Sequence, residues 1–187
     1  MSAGMSDGLS ASVRDRARRV RLLVCDVDGV LTDGRLHFFE DANGAVHEAK
    51  SFSILDGFGI KLLQESGVAV AIITGRRSEI VTRRAKEIGI RHVVQGTEDK
   101  KRAWTALLAQ LAMAPETSAY IGDDWPDLPV IRACGLGITV ANAPEPMQRH
   151  AHYVTRTIGG AGAVREACEL IMQAQDTFDA RLEAYLH

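Results

Sequence analysis

The sequence predicts an α/β fold with a doubly wound parallel sheet, formed by a single domain over residues 20–187. After residue 57, short apolar segments alternate with longer amphipathic ones, and this alternation requires parallel strands with helices on both faces. A chain of 187 residues is long enough to bury one substantial core. With 46% hydrophobic and 25% charged residues, its composition is ordinary for a globular protein and argues against general disorder.

The first part of the chain predicts a tail, a strand and a hairpin. Residues 1–19 begin with Ser, Gly and Ala and become rich in Arg, which predicts a flexible tail leading into a short helix. Residues 20–25 are apolar except for Arg21 and predict a buried strand. Two short, partly alternating segments then flank Asn43-Gly44, a dipeptide typical of hairpin turns because both residues tolerate positive φ. We therefore expect a β-hairpin inserted at about residues 35–52.

The rest of the chain predicts alternating helices and strands. Amphipathic stretches predict the helices, and short apolar runs rich in β-branched residues predict the strands. Gly67 and Gly89 are suitable helix C-caps, and Ser78 is a suitable N-cap. The predicted helices are 58–66, 78–88, 99–113, 127–134 and 162–185, and the predicted strands are 68–73, 91–94, 118–121, 136–140 and 153–154.

Charge and composition exclude several classes of protein. The net charge of −2, from 22 basic and 24 acidic residues, predicts no nucleic-acid partner and no anionic membrane surface. The apolar run at residues 68–73 is far shorter than the ~20 residues of a membrane span, and the N-terminus lacks a signal-peptide core. Cys25, Cys134 and Cys168 are widely spaced and odd in number, which predicts buried free thiols in a reducing cytoplasm.

Polar and charged residues follow four of the predicted strands. In open parallel sheets, ligands bind outside the carboxyl ends of the strands, so these side chains can converge on one crevice. They are Asp26 to Thr32 after the first strand, Thr74-Gly75-Arg76 after the next, Lys100 at a helix start, and Gly122-Asp123-Asp124 followed by Asp127.

This set of residues suits phosphoryl transfer. Crowded carboxylates repel one another, and Mg²⁺ relieves that repulsion by accepting hard oxygen ligands. Lys100 and Thr74 can hold phosphate oxygens, and a carboxylate can attack phosphorus to form an aspartyl-phosphate. Asp26 and Asp28 are two residues apart and share a face of an extended chain. One can therefore attack while the other exchanges a proton with the leaving oxygen and then with water.

These residues resemble, in order, the four motifs of the haloacid dehalogenase-like (HAD) phosphatase superfamily. The closest resemblance is to the subfamily that hydrolyses 3-deoxy-D-manno-octulosonate 8-phosphate (KDO 8-phosphate). It extends over about residues 21–175 and includes Leu55-Asp56-Gly57-Phe58-Gly59-Ile60 and the glycine-rich run from Gly159 to Glu166. The resemblance implies a HAD-like, Rossmann-type fold with a small β-hairpin instead of a cap domain. It also implies a Mg²⁺-dependent phosphatase of lipopolysaccharide biosynthesis that acts through an aspartyl-phosphate.

The resemblance also implies roles for individual residues. Asp26 would be the nucleophile and a Mg²⁺ ligand, and Asp28 the general acid and base, with its backbone carbonyl on the metal. Asp123 would complete the protein's metal ligands, while Thr74 and Lys100 would hold the phosphoryl group. Asp124 and Asp127 would support the metal and Lys100 from outside the ligand shell.

A further set would line the substrate site. It comprises Asp28, Ser53, Ile54, Leu55, Asp56, Gly57, Lys61, Arg76, Arg84 and Lys100. Members of the subfamily often carry Asn, Arg and Arg at the positions of Ser53, Leu55 and Lys61, and the loss of an Arg at Leu55 removes a possible bidentate carboxylate partner. Alternatives for some residues remain open: Asp56 can act as a helix cap, and Arg76 and Arg84 can be solvated charges.

The short connections between motifs predict an oligomer. They leave no room for a cap domain, so the site would stay open to water unless a neighbouring subunit covers it. Leu36, Phe38, Phe39 and Val46 would also be exposed on a lone hairpin, which indicates a partner surface. The resemblance points to a homotetramer assembled through the hairpins.

Three alternative functions are compatible with parts of the pattern. A phosphatase for a nine-carbon keto-sugar acid 9-phosphate of the sialic-acid type would share the scaffold. A signalling receiver domain also forms an aspartyl-phosphate, but its acceptor follows the third strand, where this chain has Gln95-Gly96. A HAD module without activity would lack catalytic acids, all of which are present here.

Overall fold

The strands of the computed structural model, which describes residues 10–186, form one parallel sheet and one hairpin. In chain order they are β1 (Leu22–Cys25), β2 (His37–Glu40), β3 (Val46–Ala49), β4 (Ala69–Thr74), β5 (His92–Gln95), β6 (Ser118–Gly122), β7 (Leu136–Thr139) and β8 (Tyr153–Val154). Within the described residues, six strands form the sheet in the order β5-β4-β1-β6-β7-β8, and β2 and β3 pair antiparallel. This arrangement confirms the predicted α/β fold and the inserted hairpin.

The described helices are mostly where the sequence predicts them. They are α1 (Ala11–Arg18), α2 (Ile54–Glu65), α3 (Glu79–Glu87), α4 (Lys100–Gln110), α5 (Leu128–Ile131), α6 (Glu145–His150), α7 (Ala163–Ala174) and α8 (Phe178–Glu183). Helix α2 begins four residues earlier than predicted because the Ser53 hydroxyl accepts a hydrogen bond from the backbone N–H of Asp56 at 3.4 Å. Helix α6 was not predicted.

The register of the sheet brings three strand ends together. Cys25, the last residue of β1, lies beside Ile72 of β4 and Ile121 of β6. The next residue, Asp26, donates its backbone N–H to the Ile121 carbonyl at 3.0 Å. Asp26 therefore leaves the sheet where β4 and β6 also end, and the apolar side chains of these three strands are buried beneath that edge.

The prediction of one long helix over residues 162–185 is wrong. The structure has two helices, α7 and α8, and the chain turns between them at Asp176, whose φ is 57°. The left-handed conformation ends α7, and aspartate is one of the few residue types other than glycine that adopts it readily. The backbone N–H of Thr177 then returns to the Met172 carbonyl at 2.9 Å.

The short helix predicted at the end of the tail is present as α1, but the flexible tail predicted through residue 19 needs correction from residue 10 onward. Helix α1 packs on the domain, with Val13 and Ala17 buried. Arg16 donates to the Gly135 carbonyl at 2.7 Å, and Arg18 donates to the Ala174 carbonyl at 3.0 Å. These contacts fix the segment from residue 10 onward, while the tail predicted over residues 1–9 lies outside the described residues.

Within residues 10–186, no helix has the length and apolar character needed to cross a membrane.

Candidate active site

A buried lysine joins two carboxylates at the carboxyl edge of the sheet. Lys100 begins helix α4, which the Asp99 carboxylate caps by accepting the backbone N–H of Arg102 at 2.9 Å. The Lys100 Nζ lies 2.8 Å from Asp26 Oδ2 and 2.7 Å from Asp127 Oδ1, and the lysine side chain is only 7% exposed. A buried ammonium group requires such partners, so Lys100 and Asp26 hold each other in place.

Asp127 has its oxygens engaged on both sides. Its Oδ1 also accepts a hydrogen bond from the Tyr120 hydroxyl at 2.6 Å. Its Oδ2 accepts the backbone N–H groups of Asp123 at 3.2 Å and Asp124 at 3.4 Å. Asp127 therefore orients Lys100 and shapes the loop that carries Asp123. Asp124 is exposed, and its carboxylate accepts the backbone N–H of Trp125 at 2.8 Å.

Three carboxylates lie close enough to surround a cation. Asp26, Asp123 and Asp127 each place one oxygen within 4.8 Å of the other two. Among the described residues, Asp26 Oδ1 is buried and has no hydrogen-bond partner. A Cβ at Gly29, whose φ is 90°, would lie 2.0 Å from Asp123 Oδ2, so the Asp123 carboxylate packs directly on the loop after β1. A group of anionic carboxylate oxygens, one of which lacks a hydrogen-bond partner, fits a Mg²⁺ ion.

The electrostatics of the cluster show the same excess of negative charge. Burial and then the charge of Asp127 raise the pKa of Asp26 to about 6, against the opposing effect of Lys100. Burial and then the charges of Asp26 and Asp127 raise the pKa of Asp123 to about 7. Burial acts to lower the pKa of Lys100, but the two neighbouring carboxylates outweigh it and the pKa is raised. A divalent cation would offset this repulsion.

Asp28 meets the hairpin instead of the carboxylate cluster. Its Oδ1 accepts a hydrogen bond from the Nζ of Lys50, which lies just after β3. Lys50 Nζ also lies 3.6 Å from Glu48 Oε1, and that oxygen is 2.6 Å from Nη2 of Arg76. Glu48 and Lys50 were not predicted as site residues, although their spacing of two on a strand was a signal that they share a face.

Thr74 and Tyr120 also belong to this edge of the sheet. Thr74 is the last residue of β4 and is buried beside the strand that leads into Asp26. Tyr120 was not predicted as a site residue, because an aromatic residue in an apolar strand is usually a core residue. Only its hydroxyl contact with Asp127 sets it apart.

Six of the residues predicted to line the substrate site fall into two groups. Ser53, Gly57 and Arg84 are brought together, since Arg84 Nη2 donates to the Ser53 carbonyl at 3.3 Å and would lie 2.2 Å from a Cβ at Gly57. Ile54, Leu55 and Lys61 are exposed on α2.

Asp56 differs from the substrate-site prediction. It is buried, and its Oδ1 accepts the backbone N–H of Arg165 at 2.7 Å, in the first turn of α7. Free N–H groups at a helix start need such an acceptor. The alternative that Asp56 caps a helix therefore describes its contacts better, although the helix is α7 and not its own.

Comparisons with known proteins give a consistent result. The family profile for haloacid dehalogenase-like hydrolases matches residues 89–166. The 3-deoxy-D-manno-octulosonate 8-phosphate phosphatase of Yersinia pestis is 48% identical over 167 residues, which is 89% of this chain and 87% of that protein. A probable phosphatase of the yrbi family from Pseudomonas syringae is 52% identical, with a TM-score of 0.91 over 95% of this chain and 99% of that one.

One solved structure is informative about ligands. The 3-deoxy-D-manno-octulosonate 8-phosphate phosphatase of Moraxella catarrhalis, crystallised with magnesium, phosphate and KDO, is 44% identical to this chain. Its TM-score is 0.87, over 92% of this chain and 97% of that one. These relatives do not favour the nine-carbon alternative.

Proposed function

The chain belongs to the haloacid dehalogenase-like hydrolases, and from this premise we propose that it is the Mg²⁺-dependent phosphatase that converts KDO 8-phosphate to KDO and phosphate. The main support for the proposal is the cluster of Asp26, Lys100 and Asp123, found in a chain that is 44–48% identical to known KDO 8-phosphate phosphatases. Family membership also sets aside the receiver-domain alternative.

In the first step, we assign Asp26 as the nucleophile. One of its carboxylate oxygens forms a bond to phosphorus while the bond from phosphorus to the sugar oxygen breaks, which gives an aspartyl-phosphate. Asp28, two residues away, donates a proton to the departing sugar oxygen. Lys100 and Thr74 hold the phosphoryl oxygens, and Lys100 also keeps Asp26 oriented.

The second step restores the enzyme. Water attacks phosphorus, Asp28 accepts a proton from that water, and the bond from phosphorus to Asp26 breaks. Phosphate leaves, and Asp26 is again a carboxylate. One carboxylate at position 28 thus serves as acid and then as base, so no proton is gained or lost over the cycle.

The metal site would consist of Asp26, Asp123 and the backbone carbonyl of Asp28. The buried, unsatisfied Oδ1 of Asp26 and the close packing of Asp123 on Gly29 support this assignment. When bound, Mg²⁺ supplies positive charge beside the phosphoryl group. Asp127 and Asp124 would act from outside the ligand shell, because Asp127 already holds Lys100 and the 123–124 loop.

The sugar-acid end of the substrate would lie near the start of α2. Arg84 and the Ser53 carbonyl are already joined there, and Arg76 lies at the end of β4 with an exposed guanidinium. Ile54, Leu55, Gly57 and Lys61 remain candidates for contacts with the sugar. Two cationic side chains, Arg84 beside α2 and Arg76 after β4, suit a substrate that carries a carboxylate as well as a phosphate.

The hairpin would replace a cap domain by joining subunits. Phe38 and Phe39 are more than half exposed, as are Leu36 and Val46, in the part of the chain that the structure describes. We propose that residues 20–187, together with helix α1, form one catalytic domain and that hairpins at about residues 35–52 assemble it into a homotetramer in which a neighbour covers each site.

The proposed setting is cytoplasmic, in lipopolysaccharide biosynthesis. Cys25, Cys134 and Cys168 are buried free thiols, and burial raises the pKa of each one, so they are unreactive packing residues. Free thiols are typical of a reducing compartment.

Phosphate release across a panel of substrates tests the proposed function. The panel contains KDO 8-phosphate, a nine-carbon keto-sugar acid 9-phosphate and glucose 6-phosphate, each with Mg²⁺ and with a chelator. We expect KDO 8-phosphate to have the highest kcat/KM and the chelator to abolish turnover. Faster turnover of the nine-carbon substrate, or full activity in the chelator, would contradict the proposal.

A further inference from the structure

A chain of alternating charges links the hairpin to the active site. It runs from Asp28 through Lys50 and Glu48 to Arg76, and each neighbouring pair is in contact. Asp28 comes from the loop after β1, Lys50 and Glu48 from the hairpin, and Arg76 from the end of β4. Three separate segments of the chain therefore meet through these four side chains.

Burial shows that the Lys50 contact is a specific one. The Lys50 side chain is 2% exposed, whereas the Asp28 and Glu48 side chains are 24% and 19% exposed. An ammonium group taken out of water is costly unless carboxylates compensate it. Its two carboxylate partners here are Asp28 and Glu48. Lys50 therefore fixes the positions of these two carboxylates, and they fix the position of Lys50.

The contact distinguishes the two oxygens of Asp28. Lys50 donates to Oδ1. This leaves Oδ2 as the oxygen that can exchange a proton with the substrate or with water. A carboxylate held by one oxygen cannot rotate freely, and a misplacement of about 1 Å at a reacting group can cost about 100-fold in rate.

We propose that Lys50 is a positioning residue that holds Asp28 Oδ1 so that Oδ2 transfers the proton in both steps. This inference rests on the proposed function, in which Asp28 is the general acid and base. It adds that the hairpin completes the active site of its own subunit, in addition to any contact it makes with a neighbour.

The test compares Lys50→Met with wild type on two substrates. Lys50→Met keeps the length of the side chain and removes its charge. On KDO 8-phosphate we expect kcat to fall about 100-fold with KM changed less than about threefold, as for a group misplaced by about 1 Å. On p-nitrophenyl phosphate, nitrophenolate leaves as a stable anion and needs no proton from Asp28. With enzyme in excess, the single-turnover rate of nitrophenolate release should therefore stay within about threefold of wild type.

Two further variants accompany the measurement. Lys86→Met removes an exposed lysine of α3 and should behave as wild type on both substrates. Lys50→Arg retains the charge and should recover part of the lost kcat. If Lys50→Met does not fold, Lys50→Arg replaces it. Its kcat on KDO 8-phosphate should then fall by a smaller factor, again without a matching fall on p-nitrophenyl phosphate.

Two results would overturn the proposal. One is an equal loss on both substrates, which would mean that Lys50 only supports the fold of the hairpin. The other is unchanged kcat on KDO 8-phosphate. If wild type released no phosphate from KDO 8-phosphate but turned over another sugar phosphate, the proposed substrate would fail, and that sugar phosphate would replace it in the Lys50 test.

Discussion

At the scale of single residues, the state of the Asp26 carboxylate is the most informative feature. One oxygen is bonded to Lys100, and the other is buried without a hydrogen-bond partner among residues 10–186. Buried polar atoms are almost always satisfied, and a bound ion is one explanation for an exception. Such an oxygen is suited to a metal ion and to attack on a phosphoryl group.

Asp26→Asn should abolish turnover. The amide cannot act as an anionic nucleophile, and removal of a group at the reacting centre commonly costs about 10⁴-fold or more in kcat. Phosphate release from KDO 8-phosphate measures the loss, and circular dichroism and sedimentation check that fold and assembly are retained. Activity within tenfold of wild type would mean that another residue is the nucleophile.

Gly29→Ala should weaken metal binding. Its Cβ would lie 2.0 Å from Asp123 Oδ2, so the carboxylate must move. We expect the Mg²⁺ concentration for half-maximal activity to rise about 10- to 100-fold, as when groups that orient ligands are lost. Gly44→Ala is the matched control, because Gly44 also has positive φ (81°) but its nearest contact is at 3.6 Å. An unchanged Mg²⁺ requirement in Gly29→Ala would contradict the placement of Asp123.

The residues of the cluster differ in how visible they are in the sequence. Asp26, Thr74, Lys100 and Asp123 directly follow strands or begin a helix, so the topology alone predicts that they meet. Lys50 comes from an insertion, and its position depends on how the hairpin folds back onto Asp28. No periodicity encodes that contact.

At the scale of elements, one glutamate organises the segment before α7. Glu166 lies in the first turn of α7 and accepts hydrogen bonds from the backbone N–H groups of Arg156 and Thr157 and from the Tyr153 hydroxyl. The same segment continues to Gly159, where a Cβ would lie 1.7 Å from the Gly29 carbonyl. Glu166 therefore supports the loop that carries the active-site motif.

Glu166→Gln should destabilise the protein in a pH-dependent way. Burial alone would raise the pKa of Glu166, but the hydrogen bonds from Arg156, Tyr153 and Thr157 outweigh it and the pKa is lowered. A lowered folded-state pKa means that the stabilisation is present above the ordinary carboxyl pKa and is lost as the pH falls through the folded value. We expect a loss of about 2 kcal/mol at pH 7, typical of hydrogen bonds to a charged group.

Urea unfolding at neutral and acidic pH measures this effect. The difference between wild type and Glu166→Gln should shrink as the pH falls. Glu145→Gln, which removes an exposed glutamate paired with Arg149 at 3.5 Å, should leave stability unchanged. A difference that grew on acidification would contradict the assignment of a charged Glu166.

Elements with a strong local signal could be predicted, and those fixed by tertiary contacts could not. Strands β1 and β4 lie in apolar runs, and the hairpin has its Asn-Gly turn. The break between α7 and α8 depends on one left-handed residue, Asp176, which has no distinctive sequence signal. The short helix α1 was predicted, but its fixed position was not, because that position comes from packing on α7 and from Arg16 and Arg18 donating to distant carbonyls.

At the scale of the whole molecule, the exposed hairpin predicts assembly. Replacing Phe38 and Phe39 together by Ser should convert a tetramer into a monomer, since burying each ring in an interface is worth about 2 kcal/mol. Leu182→Ser, at an exposed apolar position on α8, should leave the assembly intact. Sedimentation velocity and phosphate release measure both properties. A wild-type chain that is monomeric and fully active would contradict the proposed assembly.

The measurement that most directly tests the central claim is capture of the phosphoenzyme. Wild type, mixed with KDO 8-phosphate and quenched in acid within one turnover, is digested, and its peptides are analysed by mass spectrometry. We predict one phosphoryl group on Asp26 when Mg²⁺ is present, and none with a chelator or in Asp26→Asn. A phosphoryl group on another residue, or steady turnover with no phosphorylated peptide at all, would contradict the claim.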